Sequence, residues 1–209
     1  EVDPAAIGEQ CIAQHERHGD TVCRARPALT RSVPGPNVYG LAMELDTPAV
    51  DGVLRSTRSV RKRLDLTRPV EDRLILECVD LAEQAPTGGN ISSRRWMVVR
   101  DPATKAALAD LYREAGGNGI IQLADRLRGT GHQSEKVMDS GAYLARHLQD
   151  VPAVVIACIW GTYDNSGRPG LFDSILQAAW SFCLAARARG LGTAWTTLHL
   201  QKQREISDL

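Results

Sequence analysis

The feature that most constrains this chain is a long apolar stretch, Leu171 to Arg189, which reads as one helix closed by Gly190. A glycine just past the last turn is a favoured helix stop, because it enters the left-handed region without a Cβ penalty. The stretch is followed by Leu191 to Leu198, which reads as a strand, and preceded by Ala153 to Ile159, which reads as a buried strand. Upstream, residues 48–56 and Pro69 to Ala85 read as helices, the second with Leu74, Ile75, Cys78, Val79, Leu81 and Ala82 at helical spacing. Pro69 suits its first turn, and Glu71 and Asp72 suit the positive end of its dipole. Trp96 to Val99 is a short strand, Pro102 to Ala115 a helix, and Gly116-Gly117-Asn118-Gly119 a flexible break. Residues 120–128 and about 133–149 complete the helices. Helices interleaved with strands argue a layered α/β or α+β fold.

Composition narrows the function. Basic and acidic side chains are equal at 25 each, without the basic excess of a nucleic-acid binder. No apolar run reaches the roughly 18 residues that span a bilayer, and Val151 to Trp160 is interrupted by Pro152. Five cysteines form no disulfide framework, and residues 1–20 are polar, so a reduced, cytoplasmic setting is expected. Residues 1–42, with Pro4, Pro27, Pro34 and Pro36, read as a mostly irregular extension, and residues 43–209, opening at Met43, as the domain. Cys11, His15, His18 and Cys23 are candidate zinc ligands, but their order C-x3-H-x2-H-x4-C departs from the usual paired spacing, and no metal is assigned.

Three segments carry chemistry. In Thr57 to Arg63, Arg58 and Arg61 converge if the segment is a helical turn, and arginine forks match phosphate oxygens; a solvated basic face is the plainer alternative. Ala85-Pro86-Thr87-Gly88-Gly89-Asn90 is a glycine turn between helix and strand. Its backbone can approach a planar ligand, and the Asn90 amide offers both a donor and an acceptor, as a flavin's pyrimidine edge requires; an ordinary turn is the alternative. Gly190-Leu191-Gly192-Thr193 leads into Thr196, Thr197 and Leu198, which could equally be a core strand with a satisfied threonine pair. His147 and His199 are read as structural or surface histidines, and Cys78, Cys158 and Cys183 as small core residues. The dinucleotide, P-loop, serine-elbow and zincin patterns are all missing from the sequence.

Together, Arg58-Ser59-Val60-Arg61, Ala85 to Asn90 and Gly190 to Thr193 resemble, in order and spacing, the hallmarks of the nitroreductase family. The resemblance runs from about Leu45 to Leu209. It implies a three-layer α/β/α fold of the α+β class, dimerising through long helices, with Leu171 to Arg189 central and FMN at the interface of a homodimer. It implies that Arg58, Ser59 and Arg61 hold the phosphate and ring edge. Pro86, Thr87, Gly88 and Asn90 would contact the flavin, and Thr196, Thr197 and Leu198 would lie near its reactive face. The activity implied is ping-pong transfer of hydride from NADH or NADPH through the flavin to a small acceptor, such as a nitroaromatic, quinone or enone. No catalytic side chain is named, since water can supply protons. A flavin-binding or flavin-storage protein without turnover, and a non-functional fragment, are the alternatives. Ser92 stands where the family often has Gln, and Arg94 where an aromatic residue often follows. The family's final strand and tail, which supply another basic phosphate ligand, are missing from the pattern, so weakened FMN binding is expected.

Overall fold

The computed structural model describes residues 22–24, 45–91, 93–160 and 170–209. Cys11, His15, His18, Met43 and Ser92 lie outside the described residues, as does most of the 1–42 segment. Within that segment Val22–Arg24 forms a strand, β1, rather than irregular chain. It pairs antiparallel with β2 (Arg94–Val99), which pairs antiparallel with β3 (Val154–Ile159), giving the order β1-β2-β3. β3 is half-buried along its length rather than fully buried, as an edge strand of the described sheet can be.

The helices are α1 (Thr47–Ser56), α2 (Asp72–Ala82), α3 (Pro102–Tyr112), α4 (Asn118–Leu127), α5 (Glu135–His147), α6 (Gly170–Ala188) and the short α7 (Gln203–Ser207). Aspartates cap two of them. Asp46 Oδ1 accepts from Ala49 N at 3.0 Å and Asp101 Oδ2 from Thr104 N at 2.7 Å, satisfying amides that the first turn leaves orphaned. α2 is shorter at both ends than its apolar spacing suggests. Pro69 precedes the helix instead of opening it, and the chain tightens after Ala82 through Gln84 N to Leu81 O and Ala85 N to Ala82 O.

α2 and α6 pack together, and their small residues Ala82 and Ala178 leave room for Trp96 of β2. Trp96 stacks on Phe182 of α6 with ring centroids 5.5 Å apart, worth about 0.5–1.5 kcal/mol beyond the area buried. α4 and α5 form a second packed pair, to which α3 is joined by a tight turn. That turn corrects the expected glycine break: Arg113–Gly117 continues the helix as a π turn. Gly116, at φ 140°, absorbs the change of direction in a conformation closed to residues with a Cβ.

The expected strand at Leu191 to Leu198 is also corrected. Among the described residues only Thr193 pairs there, in a single parallel bridge to Ser59. Without a neighbouring strand of useful length the ladder cannot extend, and the chain turns into a 3-10 segment at Leu198–Lys202. Gly190, at φ 76°, does end α6 as expected.

Candidate functional site

The first motif is extended, not helical. Thr57 leaves α1 at ψ 124°, with its hydroxyl donating to Val53 O at 2.7 Å. Ser59 then bridges Thr193, and Val60 N donates to Thr193 O at 2.7 Å. In extended chain, successive side chains face opposite sides. Arg58 and Val60 therefore share one side and Ser59 takes the other, while Arg61 opens the turn closed by Leu64 N donating to Arg61 O at 3.2 Å. The expected convergence of Arg58 with Arg61 does not occur by a helical turn.

Arg58 instead lines a pocket of about 200 Å³ with Val60, Arg63, Arg187 and the Gly190 to Thr193 segment. Among the described residues, three arginines and no carboxylate line it. Arg187 Nε donates to Ser56 Oγ at 2.9 Å, and Arg58 Nη1 donates to Thr57 O at 2.8 Å. Part of this charge answers the negative carbonyl ends of α1 and α6, which both terminate here. Three guanidiniums around one concavity still leave the donor excess that suits a phosphate. Ser59 and Arg61 do not line this pocket. Lys62 pairs with Asp139 of α5, which holds that carboxyl below its ordinary range.

The second motif lies at the other end of α6. Gly88 to Asn90 makes a 3-10 turn, with Gly89 at φ 61° and Asn90 at φ 56°. Asparagine is among the few residues that enter this region readily. Pro86, Gly88 and Asn90 are exposed and Thr87 is half-buried. Gly88 N donates to Ser174 Oγ of α6 at 3.0 Å. Ser174 and Arg187 are separated by about 20 Å of helix at a rise of about 1.5 Å per residue. The loop and the arginine pocket therefore sit at opposite ends of α6.

In the third motif, Thr196 Oγ1 donates to the buried Tyr112 hydroxyl at 3.4 Å, holding the segment to α3. Thr197 is exposed and precedes the 3-10 turn that Leu198 opens. A Cβ at Gly116 would lie 3.3 Å from Leu198 Cδ2, so the two segments are in close contact. His199, half-buried beside them, has its pKa pushed below the ordinary value by burial. His147 is a surface residue, bonded to Asp150 at 2.9 Å. Cys78 and Cys183 are buried, which raises both thiols above their usual pKa. Thiols held protonated in this way are poor nucleophiles. Among the described residues there is no cluster of His, Cys, Asp or Glu able to hold a metal, and no helix long and apolar enough to cross a membrane.

The pocket thus joins the first and third motifs and adds Arg63 and Arg187 to Arg58. Sequence reasoning passed over Arg187, although a basic residue in the last turn of the long helix was a readable signal. It also passed over the roles of Glu83, Arg94 and Ser174, which depend on contacts distant in sequence.

The sequence model of the nitroreductase family matches residues 54–209, and the chain belongs to that family. Among solved structures, a BluB-like flavoprotein from Clostridium difficile 630 aligns with a TM-score of 0.55 at 19% identity, covering 76% of this chain and 78% of its own. An iodotyrosine deiodinase bound to FMN and 3-iodo-L-tyrosine gives 0.55 at 15%, covering 76% and 80%. An FMN-dependent nitroreductase from Mycobacterium smegmatis in complex with NADPH gives 0.53 at 15%, covering 78% and 82%. At these identities the structural likeness is one of fold. No curated protein matches the chain.

Proposed function

We propose that this protein is an FMN-dependent NAD(P)H oxidoreductase, active as a homodimer, that reduces a small acceptor such as a nitroaromatic or quinone. The arginine pocket carries the reading, because a basic concavity is built jointly by two of the three family motifs. Arg58, with Arg63 and Arg187, would hold the phosphate. Ser59, on the opposite side of the extended segment, and Arg61, in the turn that follows it, would face the ring edge. Pro86, Thr87, Gly88 and Asn90 would contact the flavin, the Asn90 amide serving its pyrimidine edge. Thr196, Thr197 and Leu198 would lie near its reactive face, with Tyr112 fixing Thr196.

The separation of loop and pocket along α6 supports a site shared between two copies. The loop of one subunit would complete the pocket of the other. α6 exposes Leu176 and Trp180, 43% and 42% accessible, one turn apart on one face. Such large exposed apolar residues on a long helix suit contact with a second copy. When bound, the flavin would supply the two-electron chemistry, taking hydride from NAD(P)H and passing it to the acceptor. The protein's part is to bind, orient and exclude water. The medium is expected to supply the protons, and a cytoplasmic setting fits a reduced nicotinamide donor.

The test is the visible spectrum of the purified protein with FMN, before and after anaerobic NADPH and then NADH. Bleaching by either supports the oxidoreductase reading. A flavin spectrum that persists with both favours a binding or storage role, and failure to bind FMN overturns the cofactor assignment.

A further inference from the structure

Arg94 opens β2 with a side chain only 3% exposed. Its Nη2 donates to Glu83 O at 2.9 Å and Ala85 O at 2.8 Å, on the stretch leading from α2 into the glycine loop. Its Nη1 donates to Ser174 O of α6 at 3.3 Å. Glu83, 11% exposed, supplies the countercharge, with Oε1 at 3.4 Å from Arg94 Nε. That contact is an ion pair without hydrogen-bond geometry, for among the described residues Nε has no hydrogen-bond partner. Glu83 Oε1 instead accepts from Trp96 Nε1 at 2.7 Å. Ser174 holds the loop a second time, its hydroxyl accepting from Gly88 N at 3.0 Å. Entry to the loop, its turn and α6 therefore meet on one buried cation and one serine.

Burying a guanidinium is costly, and a well-packed apolar side chain would often be as stable. What an apolar residue could not do is hold the carbonyls of Glu83, Ala85 and Ser174 at once. Among the described residues the loop's own backbone bonds are local, Asn90 N to Thr87 O and Ile91 N to Gly88 O. We propose that Arg94, paired with Glu83 and acting with Ser174, is a positioning residue that sets the Ala85–Asn90 loop for cofactor contact. This deepens the FMN reading and rests on it for the identity of the cofactor.

The experiment compares Arg94→Met, Arg94→Lys and Ser174→Ala with Val99→Ala, a truncation in the same strand that leaves these contacts alone. All are studied as full chains well below their melting temperatures. Amide exchange of Gly88 and Asn90 is read without cofactor, then FMN affinity and the visible circular dichroism of bound flavin. Arg94→Met is expected to speed exchange and weaken FMN binding about tenfold, to alter the dichroism, and to be only partly rescued by Lys. Ser174→Ala is expected to move the same readouts by a smaller factor. If Arg94→Met melts early like Val99→Ala yet keeps wild-type exchange and affinity, the positioning role is overturned. Should Arg94→Met fail to fold, unchanged loop exchange in Arg94→Lys and Ser174→Ala overturns it equally. If wild type binds no FMN, the cofactor reading fails alone, and the exchange comparison still decides whether Arg94 sets the loop.

Discussion

Val60 donates its backbone N–H to Thr193 O at 2.7 Å, and this bond stitches the segment after α1 to the segment after α6. The two lie more than a hundred residues apart, and the pocket forms where they meet. Their approach depends on Gly192. A Cβ there would stand 3.1 Å from Leu64 Cδ2 and 3.4 Å from Val60 Cβ and Cγ1. A leucine methyl can swing aside, whereas valine's branched Cβ is stiff. Gly192→Ala is expected to cost less than about 1 kcal/mol, and Gly192→Val about 1–3 kcal/mol through overpacking. Urea unfolding curves of the two variants check the ordering.

Gly116 and Gly119 stand close in sequence yet should respond in opposite directions. Gly116 holds φ 140°, and its added Cβ would meet Leu198 Cδ2 at 3.3 Å. Gly116→Ala is therefore expected to destabilise by about 1–3 kcal/mol. Gly119 lies in the first turn of α4, with nothing within 4 Å of an added Cβ. Gly119→Ala is expected to stabilise by about 0.4–1 kcal/mol by restricting the unfolded chain. Thermal melts of both single variants would show Tm moving down in one and up in the other.

The same pair of glycines shows what was legible in the sequence. Gly116 to Gly119 reads as a break because glycine weakens helices, but the π turn uses one residue to re-aim the chain and keeps the rest helical. α1, α3, α6 and the strand at Val154–Ile159 follow from capping residues and apolar period, which are local signals. Leu191 to Leu198 has strand composition, but a strand needs a partner, and among the described residues only Ser59 offers one. The three motifs were readable as residue types. Their grouping was not, because the face each side chain takes depends on the extended path at Thr57 to Val60. Arg94, marked by sequence only as a departure, gains its meaning from Glu83 and Ser174, neither of which is its neighbour in the chain.

His199 gives a pH dependence with a definite sign. Burial disfavours its charged form, so its folded pKa lies below the ordinary value of about 6.5. Between the two pKa values the unfolded chain binds more protons than the folded one, so stability rises with pH there. Its contribution is intact above the unfolded pKa and falls away as pH drops below it, levelling off under the folded pKa. The slope for one proton cannot exceed about 1.4 kcal/mol per pH unit. His199→Gln should flatten the acidic limb of the stability profile below about pH 6.5, the ordinary histidine value. Denaturant midpoints at stepped pH would measure this, and an unchanged slope in the variant would assign the limb to other groups.

Arg187 separates recognition of phosphate from general stability. It is exposed, its bond to Ser56 Oγ is its tie to α1, and it lines the pocket with Arg58 and Arg63. Losing an exposed side chain near a helix end should cost less than about 1 kcal/mol of stability. Losing one charged donor to a phosphate should weaken binding roughly tenfold. FMN and riboflavin differ only in the phosphate, so their affinities measured side by side isolate that contact. Arg187→Ala is expected to weaken FMN about tenfold and leave riboflavin unchanged, with Arg187→Lys between them because the ammonium keeps charge but loses the fork. Equal weakening of both ligands would move the phosphate elsewhere and leave the three arginines as caps for the carbonyl ends of α1 and α6.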